Sequence, residues 1–60
     1  MNGKEMIKLL TKNGYKLIRI TGSHHILYKE GEKELVVPVH GKKDLRKGLE
    51  IALLKDAGLR

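Results

Sequence analysis

The chain has no cysteine, phenylalanine or tryptophan, and only one proline among its 60 residues. Without cysteine, neither a disulfide nor a thiolate–zinc cluster can reinforce the fold, and no redox compartment is indicated. Two tyrosines are the only aromatics. They are too few and too far apart for the base-stacking platform of an RRM-like domain, although either could stack an unpaired base. No apolar run approaches the length of a membrane-spanning helix and the N-terminus lacks a signal-peptide core, so a soluble, cytoplasmic protein is expected. At this length one domain is expected, residues 1–60, close to the lower limit for folding alone. Acidic residues are also scarce. Thirteen Lys and Arg against seven Asp and Glu leave a net charge of +6 and a pI near 9.9. That balance points to a polyanion or an acidic protein as partner.

Glycines punctuate what remains. Asn2 with Glu5 three residues on reads as a capping box opening a helix. The helix carries Met6, Ile7, Leu9 and Leu10 and stops at Asn13-Gly14, a left-handed cap signal. Tyr15 to Ile20 has strand composition, and Thr21-Gly22-Ser23-His24 reads as a tight hairpin with Gly22 at the positive φ of a type II′ turn. His25 to Lys29 forms a second strand, Glu30-Gly31-Glu32 a turn, and Lys33 to His40 a third strand. A basic loop from Gly41 to Asp44 leads to a second helix, Leu45 to Ala57, with Leu45, Leu49, Ala52 and Leu53 on one stripe and Gly58 beyond its end. The predicted class is α+β in the order α-β-β-β-α, a three-stranded antiparallel meander with both helices on one face.

The turns fix an expected register. A Gly22-Ser23 turn pairs Ile20 with His25 and Ile18 with Leu27, while a turn at Gly31 pairs Leu27 with Leu35 and His25 with Val37. Opposed residues share a face, so Ile18, Ile20, Leu27, Leu35, Val37 and Val39 are expected against the helices. Tyr15, Leu17, Ile26, Tyr28 and Val36, with Arg19 and His24, are expected on the open face. That much exposed apolar surface suggests a covering protein partner. Pro38 suits an edge strand, where a missing N–H is tolerated.

Histidine is the side chain best able to move a proton near neutral pH. His24, just after a tight turn on a basic protein, could take the proton from a ribose 2′-hydroxyl. The freed oxygen would attack the adjacent phosphorus and leave a cyclic phosphate, a route open to RNA and closed to DNA. The same residues also read as a hairpin cap with no chemistry. His25, pointing to the helix side, reads as a histidine at the edge of the core. His40 falls diagonal to His24, within about 7–8 Å between backbones, and reads equally as a substrate-site residue or a strand-end loop residue. Adjacent strand residues face opposite ways, so His24 and His25 do not share an ion, and Glu30, Glu32 and Glu34 read as a solvated hairpin tip. No metal or other cofactor is implied.

The positive charge is clustered. Lys4, Lys8 and Lys12 make one stripe along the first helix, where like charges cost a few tenths of a kcal/mol each. Lys42, Lys43, Arg46 and Lys47 gather at the start of the second helix, against its macrodipole. Both clusters suit phosphate contacts without sequence reading, and both also read as the solvated face of a basic protein.

Several of these residues together resemble the HicA toxins, the mRNA interferase half of HicA–HicB toxin–antitoxin pairs. They are Asn13-Gly14-Tyr15, Gly22-Ser23-His24-His25, Val37-Pro38-Val39-His40 and Ala57-Gly58-Leu59, spread over nearly the whole chain. The resemblance implies a fold like the double-stranded-RNA-binding domains and ribosome-independent RNA cleavage as the toxin of a type II system. It makes the first His after Gly-Ser, here His24, the essential residue; from the residues themselves, Gly22, Ser23 and His40 join it as possible support. Together with the charge clusters, this leads to expected RNA contacts by Lys4, Lys8, Lys12, Arg19, Lys42, Lys43, Arg46 and Lys47. The resemblance also implies neutralisation by a HicB-type antitoxin that covers the site; separately, the free protein is expected to be a monomer. The chain departs from the family where Phe or Trp commonly stands in place of Tyr15 and Leu27, and in Asp44-Leu45-Arg46 where Pro-containing variants occur. A non-catalytic double-stranded-RNA-binding module of the same fold is the rival reading.

Overall fold

The Asn2 side chain accepts a hydrogen bond from the Glu5 amide at 2.9 Å, and the Glu5 carboxylate accepts one from the Asn2 amide at 2.8 Å. This reciprocal capping box starts α1, Gly3–Lys12. A computed structural model describes all of residues 1–60. After α1 come β1 (Lys16–Thr21), β2 (His24–Tyr28), β3 (Leu35–Pro38) and α2 (Lys47–Asp56). The strands form one antiparallel sheet in the order β1-β2-β3, so β1 and β3 are both edges. The expected α+β class and the α-β-β-β-α meander are therefore present, laid out as in double-stranded-RNA-binding domains.

Gly14 ends α1 at φ +95°, with its amide donating to the Thr11 carbonyl and the next amide, of Tyr15, to the Leu10 carbonyl. This pair of bonds is the Schellman arrangement, which brings the residue after the glycine onto the last turn of the helix. Tyr15 is thereby folded into the core with Leu10. The same bonding pattern closes α2 through Gly58 and Leu59. Met6, Leu10, Tyr15, Leu27, Leu35, Val37 and Leu53 form the buried cluster, with Ile7, Leu45, Leu49, Leu54 and Ala57 packed around it. These side chains place both helices against one face of the sheet.

Between β2 and β3 the register is as expected: Leu27 faces Leu35 and His25 faces Val37. Between β1 and β2 it holds for Ile20 with His25, then changes. Leu17, not Ile18, pairs with Leu27, because β1 carries one extra residue between Leu17 and Arg19. Such a bulge reverses the facing of every residue on its far side. Tyr15 therefore lies in the core instead of on the open face, Leu17 shares the register face of Leu27, and Lys16 joins Tyr28 on the open face. Ile18 and Ile20, expected in the core, are half exposed, as is Leu17. Two ten-residue helices do not cover three strands, and β1 is left bare along its whole length. Ile26, on the open face, is buried nonetheless. On the same face Arg19 of β1 and Glu34, just before β3, approach each other at 3.4 Å.

The second helix starts at Lys47, two residues later than expected, and Ala52 is exposed instead of lying on the packed stripe. The cause is the N-terminus. Asn2 forms a β-bridge with Asp44, and the Leu45 amide donates to the Met1 carbonyl at 2.9 Å, so this stretch is held extended. The Met1 amine then reaches Glu50 in the first turn of α2 at 2.8 Å, a bond that raises the amine pKa above its ordinary value. Gly3 is buried where α1 crosses the end of β3. A Cβ there would stand 2.5 Å from the Pro38 carbonyl oxygen and 2.9 Å from Val39 Cγ2.

Candidate active site

Thr21 and His24 are directly paired, so Gly22 and Ser23 form a two-residue hairpin turn. Gly22 has φ +60° while Ser23 has negative φ, the sign pattern of the expected type II′ turn. His24 is the first residue of β2 and is exposed. It stands on the open face with Ile26 and Tyr28, and opposite Pro38. His25 points the other way and is half buried, as expected for a residue at the core's edge. Its Nδ1 lies 3.4 Å from the Ser23 carbonyl, which also accepts the Val39 amide at 2.8 Å. The turn that carries His24 is thus tied to the end of β3 by its backbone.

Because Val39 bonds to Ser23, the chain passes alongside the turn as it reaches His40. The strand itself ends at Pro38, so His40 lies beyond it and is exposed. It lines a recess of about 220 Å³ with Pro38, Lys43, Asp44, Leu45, Arg46 and Leu49. The structure therefore gathers the His24 partner Pro38, His40 and half of the second basic cluster around one hollow. Lys42 and Lys47 flank it in sequence and are exposed.

The first basic stripe is brought in at one end only. Gly3 packs on Pro38 and Val39, so neighbouring Lys4 begins at the same end of the sheet as His24. Lys8 and Lys12 follow along an exposed face of α1, away from it. Arg19 is on the open face between the two ends of β2, but its guanidinium is already paired with Glu34. Nowhere do three His, Asp or Glu side chains converge around a common point.

A second hollow lies at the other end of the sheet. Gly14, Lys16, Tyr28, Lys29 and Glu30 line a shallow cleft of about 640 Å³. Sequence reasoning misses Lys16 and Lys29, because the unbulged register turns Lys16 towards the helices. The signal that could have found them is the Schellman ending at Gly14. It commits Tyr15 to the core, so with Arg19 on the open face one residue between them has to be extra.

Residues 3–59 match the family described as HicA toxin of bacterial toxin-antitoxin. Among solved structures, a chain of a toxin–antitoxin complex from Streptococcus pneumoniae superposes with a TM-score of 0.84 at 42% identity, over 98% of each chain. Among curated proteins, no sequence matches significantly. The chain belongs to the HicA family of bacterial toxin–antitoxin toxins.

Proposed function

We propose that this toxin acts as an endoribonuclease, an mRNA interferase that needs neither ribosome nor metal, with His24 as its general base. The observation that carries the reading is an exposed histidine on the first residue of a strand, fixed by a two-residue turn and paired with Pro38, which lines a recess with Lys43 and Arg46. His24 takes the proton of a ribose 2′-hydroxyl, and the oxygen attacks the adjacent phosphorus. The bond to the 5′-oxygen breaks, leaving a 2′,3′-cyclic phosphate on one fragment and a 5′-hydroxyl on the other. His40 is the candidate donor of the proton that the departing 5′-oxygen takes up. Gly22 and Ser23 hold the turn, and a backbone amide there is available to the phosphate.

Phosphates along the strand are held by Lys42, Lys43, Arg46 and Lys47, aided by Lys4. Arg46 caps α2 with no side-chain hydrogen bond to its first amides, so the helix start offers N–H donors beside these cations. Lys8, Lys12 and Arg19 extend the positive surface and strengthen encounter with RNA. The functional unit is the domain of residues 1–60, acting in the cytoplasm.

A HicB-type antitoxin covering the His24 turn is the proposed neutralising partner. The bare β1 edge, with Leu17, Ile18 and Ile20 half exposed, offers apolar surface and unpaired backbone beside that turn. The rival, a non-catalytic duplex-RNA binder, shares the basic cluster but gives the exposed His24 no task. Expression of the wild-type chain and of His24→Ala distinguishes them. Growth arrest that disappears with the histidine supports the nuclease. Equal toxicity of the two, with duplex RNA bound and not cut, supports the binder.

A further inference from the structure

The cleft at Tyr28 has a composition that the His24 site does not use. Tyr28 is partly exposed and shares the open face with His24, four residues away along β2. At the rise of an extended strand that separation is about 14 Å, the reach of a few nucleotides. Lys16 stands directly across from Tyr28 on the same face. Lys29 forms another wall, its side chain lying across Tyr15 and Gly14. Its Nζ lies 5.7 Å from the centre of the Tyr15 ring, and its stem passes so close to Gly14 that a Cβ there would come within 3.3 Å. One carboxylate, Glu30, also lines the cleft.

We propose that this cleft is a nucleotide subsite for single-stranded RNA, remote from the scissile phosphate, with Tyr28 stacking one unpaired base. Lys16 and Lys29 hold the phosphates on either side of it. The proposal rests on the endoribonuclease reading for its substrate class. Aromatic stacking flanked by lysines is the usual means of holding single strands without reading sequence. A neutral or basic protein surface would find a poorer fit, since the cleft sets two cations and an aromatic ring against the single carboxylate of Glu30. Between the two sites lies the Arg19–Glu34 pair, whose arginine can exchange an exposed carboxylate for a passing phosphate at small cost.

The test is binding, separate from cleavage. A fluorescently labelled single-stranded oligoribonucleotide, long enough to span both sites, is titrated by anisotropy with the full chain carrying His24→Ala. Adding Tyr28→Ala is expected to weaken binding about tenfold, and Tyr28→Phe in its place to restore it. Lys16→Gln and Lys29→Gln are each expected to weaken binding and flatten its salt dependence. The tyrosine's contribution should fade as the oligonucleotide is shortened towards a dinucleotide. Unchanged affinity on losing the ring overturns the subsite, as does a Tyr28→Ala variant that loses antitoxin but keeps RNA. Failure of the wild-type chain to cleave RNA would instead count against the nuclease reading alone.

Discussion

His24 and Pro38 stand directly opposite each other at the last paired position of β2 and β3. Proline brings no N–H to that position, and two residues later the chain has left the sheet at His40. Pro38, the residue paired with the histidine of the turn, also lines the recess containing His40. If His40 supplies the proton to the departing oxygen, His40→Ala should lower kcat by about a hundredfold or more with little change in KM. Steady-state cleavage of a defined oligonucleotide measures both, and an unchanged kcat removes His40 from the chemistry.

The second basic cluster makes a prediction about salt. Replacing Lys42, Lys43, Arg46 and Lys47 by Gln, singly and together, should weaken RNA binding across sequences alike. The slope of log affinity against log salt should shrink by roughly 0.7 for each phosphate that is no longer neutralised. Equal slopes for the wild type and the fourfold variant would show these cations to be mere solvated surface.

Alkaline stability is predicted to fall in two stages. The Met1 amine is held protonated by Glu50, and burial keeps the Tyr15 hydroxyl from ionising, so both pKa values lie above their ordinary ones. In each case the folded state keeps a proton that the unfolded chain loses first. The stabilisation is whole below the unfolded pKa and declines as pH rises through the folded one. The first stage begins above about pH 8 and the second above about pH 10. Glu50→Gln should shrink the first stage, since Asp44 and Glu5 also raise the amine pKa, and Tyr15→Phe should abolish the second, as read by urea denaturation across pH. The Tyr15 hydroxyl is also buried without a hydrogen-bond partner. Tyr15→Phe should accordingly stabilise the protein by about 1 kcal/mol at neutral pH, and destabilisation there would contradict this account of the core.

Gly3 is predicted to resist substitution despite its place in a helix. Alanine would gain up to about 1 kcal/mol of helix propensity. Its methyl group, however, would meet the Pro38 carbonyl at 2.5 Å, and both are backbone-fixed. The expected net result for Gly3→Ala is a loss of about 1–3 kcal/mol, measured by thermal or urea unfolding.

Much of this architecture is legible in the sequence because it is encoded locally. The Asn2–Glu5 box, the Asn13-Gly14 ending and the Gly22-Ser23 turn each need only a few adjacent residues of the right chemistry. The β2–β3 register follows from matching Leu27 with Leu35 and His25 with Val37. The bulge in β1 is not legible in the same way. Leu17 and Ile18 are both apolar, so the pattern tolerates either one opposite Leu27, and the choice is made by burying Tyr15. That single extra residue puts Tyr15 into the core and Lys16 onto the open face. The start of α2 is also hidden from local pattern, since bonds from Met1 and Asn2 across the molecule hold residues 44 and 45 extended. The His24 turn is legible, being local. The recess around His40 and the cleft around Tyr28 exist only in the tertiary fold.

The most direct test of the central claim is end-group analysis of RNA cut by the purified protein, beside His24→Ala, with a chelator present throughout. The wild type is predicted to give fragments ending in 2′,3′-cyclic phosphate and beginning with 5′-hydroxyl. His24→Ala is predicted to give none, although that variant should retain the wild-type circular dichroism spectrum and unfolding midpoint. Normal cleavage by a folded His24→Ala protein, or wild-type fragments carrying 5′-phosphate, would contradict the assignment of His24 as general base.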